Sequence, residues 1–386
     1  MSPKRRHIKL TLAKSTNTQP LFTVVIPTYN EADNIRILIP KLINILELNG
    51  FSNFEILVVD DDSPDGTCLI VREFANSDNR IRCLLRRRNK GLATAILRGI
   101  AWARGKYVVV MDADLQHPPE LVPKLVSKAV STGADVVVAT RYAPGGGVEG
   151  WSRFRLLMSK TAILVSKILV PGTKSTSDPM SGFFLVKKSI IDPSLLRPRG
   201  YKILMEILEK SPYQKVEEVP YTFRNRAYGK SKLGAKTIID FLIHAMTLSP
   251  LVRFASVGAL GAVLNLTIMA LLLLLGAPID LASIAGIEIS ILFNFIFHEY
   301  WTFKTNLEEN WLRRLWTYHL SSLGGIITTF TVMKATTMLG LLGPLAGQAL
   351  GIVTGFAANY AVSLDKVWRR SILNEIKKRR ISASSE

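Results

Sequence analysis

The sequence predicts a mostly parallel, doubly wound α/β domain followed by an all-α membrane domain of four transmembrane helices. Three observations predict it. Short apolar runs alternate with helical stretches up to about residue 245, polar residues cluster at the carboxyl ends of those runs, and the long apolar stretches lie after Pro250.

The first apolar run, Thr23-Val-Val-Ile-Pro27, has the form of a buried parallel strand, and a helical stretch follows from Ala32 to Leu48. Glu55–Val59 is the second strand, Asp60–Gly66 a turn, and the next helix runs to about Asn76. Ile81–Leu85, Tyr107–Met111 and Asp135–Ala139 are the third to fifth strands, with helices at Gly91–Arg104 and Leu121–Thr132. Strands that alternate with helices build a parallel sheet, and such sheets bind ligands at the carboxyl ends of their strands. After Arg141 and the glycines 145–147, the segment Trp151–Val170 sets Arg153, Arg155, Lys160 and Lys167 among Leu, Met, Ile and Val. That mixture suits an amphipathic helix in a membrane interface, with a solvated helix packed on the sheet as the alternative. A second interfacial helix is expected near 234–248.

Four spans are expected, near Leu251–Leu275, Leu281–Phe303, Leu315–Leu342 and Pro344–Leu364. Each supplies the roughly 20 apolar residues that a hydrocarbon core of ~30 Å requires. The links at 277–280 and 340–344 carry no Lys or Arg, whereas the link at 304–314 and the tail at 366–380 are basic. The positive-inside rule then puts the first domain and both termini in the cytoplasm. Asn265, Glu288, Asn294, Lys334 and Asn359 are polar positions within the spans. They are expected to glue helices together, with Lys334 snorkelling, rather than to form a lipid- or ion-handling seam. The organisation expected is a disordered basic tail (1–20), the sheet domain with its interfacial helix (21–233), a linker helix (234–249), the four-helix membrane domain (250–366) and a basic tail (367–386).

The composition agrees. Among 386 residues, 48% are hydrophobic, yet the formal net charge is +19. Basic clusters flank apolar helices, and no RNA-binding aromatic signature, helix-turn-helix or zinc pattern is evident. The charge therefore suits anionic lipid headgroups and phosphorylated substrates rather than nucleic acid. The two cysteines, Cys68 and Cys83, are too few for a disulfide framework and fit a reducing compartment or simple packing.

The sharpest chemistry is Asp112-Ala113-Asp114-Leu115-Gln116-His117-Pro-Pro119, directly after the fourth strand. Two carboxylates one residue apart, with an amide oxygen close behind, form a hard-oxygen site for Mg²⁺ or Mn²⁺, completed by diphosphate oxygens. Pro27-Thr-Tyr29-Asn-Glu31 offers a ring to stack and a carboxylate to accept, which suits a nucleoside. Val59-Asp60-Asp61-Asp62 adds carboxylates whose mutual repulsion demands donors or a cation. Either group alone also reads as a helix N-cap.

With Lys90-Gly-Leu92, Arg141-Tyr142, Asp178-Pro-Met-Ser-Gly-Phe-Phe184 and Tyr201-Lys-Ile-Leu-Met-Glu206, these motifs resemble the polyprenyl-phosphate (dolichol-phosphate) mannose synthases. Those are inverting family 2 glycosyltransferases with the GT-A fold, a Rossmann-like sheet, and the resemblance covers about Leu21 to Leu233. The region after Pro250 resembles a GtrA-like four-helix domain. The resemblance implies a GDP-mannose pocket of Pro27, Tyr29, Glu31, Val59, Asp61, Asp112, Ala113 and Asp114, with Lys202 near the donor. It implies a metal held by Asp112, Asp114 and Gln116, and a closing loop that reaches the diphosphate through Arg226 and Lys232.

The implied acceptor is a polyprenyl (dolichyl) monophosphate, already ionised near neutral pH, so no strong general base is needed. Two anions must instead be brought together, which calls for cations on one side and a metal on the other. Arg141, with Arg155 and Ser159 on one helical face, is expected to hold the acceptor phosphate, making Asp112, Asp114 and Arg141 the catalytic set. Arg153 competes with Arg155. Asp178 is expected to touch the sugar or to order the acceptor loop, and His117 to shape its loop rather than act as a base. Two other readings stay open, a UDP-glucose-dependent glucosyltransferase and a lipid-linked-sugar flippase carried by the membrane half.

Overall fold

The computed structural model describes residues 19–197, 200, 202–223, 235–302 and 311–362, with the side chains of 235–237 and 356–362 left aside. The expected basic tails, the closing loop with Arg226 and Lys232, Tyr201, and most of the basic link after Phe303 lie outside the described residues.

Strands β1 (Phe22–Thr28), β2 (Phe54–Asp60), β3 (Ile81–Leu85) and β4 (Tyr107–Val110) pair in parallel, with Pro27 opposite Val59 and Thr28 opposite Asp60. Helices α1 (Ala32–Leu48), α2 (Thr67–Ser77), α3 (Leu92–Trp102) and α4 (Val122–Thr132) cross over between them and β5 (Val136–Thr140). In α1, Ile35, Leu38, Ile39, Leu42 and Leu46 recur at helical spacing and pack on one face of the sheet, while α3 covers the other.

The sheet has seven strands in the order β3-β2-β1-β4-β7-β5-β8. Two of them escape the sequence pattern. The four-residue β7 (Phe184–Lys187) runs antiparallel between β4 and β5, and the edge strand β8 (Val216–Pro220) carries two glutamates. The first is too short to show a period, and the second is too polar to read as core. A two-stranded patch pairs β6 (Gly147–Val148) with β9 (Thr222–Phe223).

The two cysteines also depart from expectation. Cys68 in α2 and Cys83 in β3 are joined in a disulfide across a Cα separation of 5.9 Å. Adjacent packing of the helix on its strand brings together residues that no framework spacing had linked.

Helix α5 (Arg153–Leu169) occupies the expected interfacial segment, and α6 (Ile203–Lys210) and α7 (Ala235–Leu248) follow. Only Ile163 and Ser166 of α5 are buried, whereas Phe154, Leu157, Leu164 and Ile168 are exposed along one side. Ile163, Val170, Met180, Met205, Ala245 and Leu248 pack together, so α7 docks on α5 and α6.

Four long helices follow: α8 (Pro250–Leu274), α9 (Ile279–Phe297, extended by a π-helical turn to Thr302), α10 (Trp311–Met338) and α11 (Pro344–Val362). Two of the four expected spans, Pro250–Leu274 and Ile279–Thr302, are long and apolar enough to cross a membrane. In α10, Arg313, Arg314, His319, Lys334 and many hydroxyl residues dilute the apolar run, and α11 is short and rich in small residues.

Of the expected interior polar groups, Asn265 serves as glue. Gln348 donates to Asn265 Oδ1 (2.6 Å), Ser283 to Gln348 Oε1 (2.6 Å) and Asn265 to Ser290 (3.3 Å), which ties α8, α9 and α11. Lys334 is paired, its ammonium donating to both Asp280 oxygens at 2.6 and 2.7 Å.

Candidate active site

The loops after β1 to β4 share one backbone feature. Asn30, Asp62, Asn89 and Leu115 have φ of 60°, 60°, 54° and 62°, one after each of four neighbouring parallel strands. Asn and Asp tolerate the left-handed region, whereas a bulky Leu there is strained by about 1–3 kcal/mol. Such strain gathers at sites where surrounding contacts fix the loop, and here it follows four neighbouring strands at one edge of the sheet.

The β1 and β2 loops are bound to each other. Asp65 accepts the Ala32 N–H at 3.0 Å, capping α1 from a neighbouring loop, and Thr67 accepts the Glu31 N–H at 3.1 Å. The Glu31 carboxylate takes a hydrogen bond from Asn34 at 2.6 Å, and Tyr29 stands 46% exposed at the edge.

The three adjacent carboxylates each find a different donor. Buried Asp60 accepts from Thr28 (2.9 Å) and from the Ser63 hydroxyl and N–H (2.5 and 3.0 Å). Buried Asp61 faces Arg86 at 3.0 Å and takes the Gly91 N–H at 2.6 Å, while exposed Asp62 meets Lys90 at 3.2 Å. Repulsion is thus answered by hydroxyls, a guanidinium and an ammonium. Arg86 opens the run Arg86–Arg88 after β3, and only the fold reveals that it serves Asp61.

At the end of β4, Asp114 and Gln116 are buried and Asp112 is partly exposed. The Gln116 N–H donates back to Asp114 Oδ1 at 3.2 Å, closing the turn around Leu115. Among the described residues no three His, Cys, Asp or Glu side chains cluster for a metal. Two carboxylates and an amide on one tight loop fit a hard divalent cation that takes its remaining ligands from diphosphate and water.

His117 has no base-like setting. Its Nδ1 accepts the Asp112 N–H at 3.0 Å, so the neutral ring carries its proton on Nε2. The ring stacks on Phe183 at 5.0 Å with Tyr221 and Phe223 at its edges, and burial pushes its pKa down to about 4. It is a buried wedge that shapes the Asp112 loop.

Arg141, directly after β5, is buried and forms a two-pronged ion pair with Asp178, Nε to Oδ2 at 2.7 Å and Nη2 to Oδ1 at 2.8 Å. Burial opposes its charge and Asp178 overcomes that, so its pKa stands above the usual value. The same guanidinium lies 5.4 Å from the centre of the Trp151 ring, and the Arg155 guanidinium lies 4.2 Å from it. One indole therefore gathers both expected phosphate ligands. Ser159 joins them through Tyr142, whose hydroxyl donates to Ser159 Oγ at 2.7 Å. Sequence reasoning placed Arg141, Arg155 and Ser159 together but missed Trp151, whose signal was a lone Trp at the start of a basic helix.

Lys202, at the start of α6, donates to the Met180 carbonyl at 2.7 Å, in the loop that carries Asp178. Burial first, and the nearby Arg141 second, push its pKa down to about 8. Asp178 and Asp112 act on it in the opposite sense, so the lysine lies within the field of both halves of the site.

Comparison with known proteins agrees with this layout. Residues 23–193 match the family described as glycosyl transferase family 2, and residues 253–368 match the GtrA/DPMS transmembrane domain. The front half is thus a glycosyltransferase and the rear half a membrane domain. A dolichol-phosphate mannosyltransferase of Pyrococcus furiosus is 41% identical over 90% of this chain and 99% of its own length. Proteins of the same name from Saccharomyces cerevisiae and Mycosarcoma maydis are 37% and 34% identical, over 57% and 67% of this chain and 84% and 88% of theirs.

Proposed function

This chain belongs to the dolichol-phosphate mannosyltransferase family, and we propose that it transfers mannose, with inversion, from GDP-mannose to a polyprenyl (dolichyl) monophosphate. The observation that carries this reading is the juxtaposition of two unlike sites on one sheet edge. The Asp112–Gln116 loop offers hard oxygens, while Arg141 and Arg155 share one indole ring beside a helix with an exposed apolar side.

The donor nucleotide lies along Pro27, Tyr29, Glu31, Val59 and Asp61, with Asp112, Ala113 and Asp114 toward the ribose and diphosphate. Asp61, whose carboxylate already serves Arg86 and Gly91, acts mainly by holding the loop that forms the pocket wall. Asp112, Asp114 and Gln116 hold Mg²⁺ or Mn²⁺, which when bound neutralises charge on the leaving diphosphate. Lys202 contributes a further cation. Arg226 and Lys232 are the cations of the closing loop.

The acceptor phosphate is held by Arg141, Arg155 and Ser159, with its isoprenoid chain passing along the exposed side of α5. An oxygen of that phosphate attacks the anomeric carbon, the bond from that carbon to the diphosphate oxygen breaks, and GDP leaves with the electron pair. No proton need be removed from a phosphate already ionised. The work left to the protein is to bring two anions into line, which Arg141 and Arg155 do by supplying fixed positive charge.

The chain lies in the membrane through α8 to α11, all four helices spanning it, with the sheet domain and both termini cytoplasmic. Titration calorimetry with GDP and with UDP in the presence of Mn²⁺ tests the donor. Tighter binding of GDP is expected, and tighter binding of UDP would replace mannose by a UDP-linked sugar.

A further inference from the structure

The charged side chains on the described parts of α8 to α11 are either paired in the interior or close to a helix end, with one exception. Glu299 and Arg314 are buried and doubly bonded to each other, at 2.9 Å in each arm. Asp280 and Lys334 lie close to the helix ends, where water is near. Glu288 differs. It stands mid-way along the 24-residue apolar segment Ile279–Thr302, its side chain 48% exposed, and it meets His319 Nε2 of α10 at 3.2 Å. The other ring nitrogen of His319 lies 3.3 Å from the Leu315 carbonyl, so the imidazole is held in place toward the carboxylate.

Around this pair the surface is apolar. Ile284, Leu292 and Ile296 are exposed on α9, and Trp316, Leu320 and Leu323 on α10. Toward Arg314, the two helices part into a groove of about 420 Å³ floored by Phe295, Glu299 and Leu315. Acyl chains cannot hydrogen-bond, so a carboxylate half-open to them lacks the partners it would have in water or protein.

We propose that this α9/α10 face is the interface with a second copy of the same chain. Charge complementarity across the face identifies the partner. Glu288 and His319 are opposite in character and adjacent, so a twofold axis through the face sets the Glu288 of each copy toward the His319 of the other. The protruding Trp316 and the neighbouring groove supply a knob and a hole on the same face. Polar contacts of this kind are what drive helices together in lipid, where apolar contact alone gives no advantage. The inference rests on the membrane reading above but not on the chemistry of the sheet domain.

The test uses the full-length chain in nanodiscs, read by mass photometry and by oxidative cross-linking. Both native cysteines are joined to each other, so an introduced cysteine is the sole free thiol. Leu292→Cys and Trp316→Cys are expected to give cross-linked dimers, and Leu260→Cys and Val263→Cys, exposed on α8, are not. The double variant Glu288→Gln, His319→Gln should weaken dimerisation by about three- to twentyfold, the scale of a membrane polar contact. Monomeric wild-type chain, or equal cross-linking from α8, overturns the proposal, as does a monomer whose groove co-purifies with phospholipid. Release of the chain from vesicles by alkaline carbonate would overturn the membrane reading itself, whereas retained but monomeric chain overturns only the dimer.

Discussion

Asp178 shows how a single residue acquires its role from the fold. It lies 37 positions from Arg141, beyond the reach of any local pattern, and the antiparallel insertion of β7 brings it back beside β5. A buried pair of this kind is costly to break from one side, because the survivor keeps its charge without its partner. Asp178→Asn should therefore lower stability by about 3 kcal/mol in denaturant titration and reduce transfer as well. Replacing both partners, Arg141→Met with Asp178→Leu, should restore much of the stability while transfer stays lost, which separates the structural part of the pair from its phosphate-holding part. Arg155→Ala should raise the KM for lipid phosphate with little change in the KM for the donor. Unchanged KM and turnover would remove Arg155 from the acceptor site. Lys202 predicts a pH effect of definite sign. Its pKa is depressed to about 8, so the charge proposed to attract the diphosphate is present below that pH and lost above it. The kcat/KM for the donor should fall as pH rises through about 8, and Lys202→Arg should hold it level. The loop that carries Asp112, Asp114 and Gln116 was legible as a candidate site because strand and loop adjoin in sequence. Trp151 and Arg86 were not, because each acts on a residue brought near by packing; for His117 the loop-shaping role was legible, and the fold adds its aromatic partners Phe183, Tyr221 and Phe223.

At the scale of elements, the parallel strands and their crossover helices were readable from periodicity, since a buried strand and an amphipathic helix differ in pattern. β7 and β8 were not, because a strand of four residues shows no period and an edge strand with two glutamates is half polar. Helix α5 was legible as a helix of mixed basic and apolar residues, and its interfacial position is part of the proposal. The structure sharpens this by exposing Phe154, Leu157, Leu164 and Ile168 along one side while Ile163 packs on α7. Leu157→Glu with Leu164→Glu should cut transfer to a long polyprenyl phosphate in vesicles at least tenfold, since each buried apolar side chain contributes about 1.5–3 kcal/mol. Transfer to a short, water-soluble acceptor phosphate should be nearly unaffected. Equal loss on both acceptors would mean that α5 supports the fold rather than the lipid surface.

For the whole molecule, the proposed function requires the sheet edge, α5 and the membrane helices to connect the donor nucleotide to the bilayer. The docking of α7 on α5 and α6 means that a chain ending after Leu248 retains every described residue of the site and the cluster of Ile163, Met205 and Ala245 beneath it. Such a truncation should still transfer sugar in detergent, leaving the four helices as the anchor that sets the height of the site. The number of spans was legible in part: two helices are apolar enough on their own, while α10 and α11 carry polar and small residues whose purpose is visible only in their contacts. Sugar transfer from GDP-mannose to a lipid phosphate is to be measured with the purified full-length chain in nanodiscs. GDP-mannose or UDP-glucose would be supplied with polyprenyl phosphate and Mn²⁺, and the lipid product identified by mass spectrometry. The expected product is polyprenyl phosphate-mannose from GDP-mannose, abolished by Asp112→Asn and sharply reduced by Arg155→Ala. Product formed from UDP-glucose alone, or no lipid-linked sugar from either donor, would contradict it.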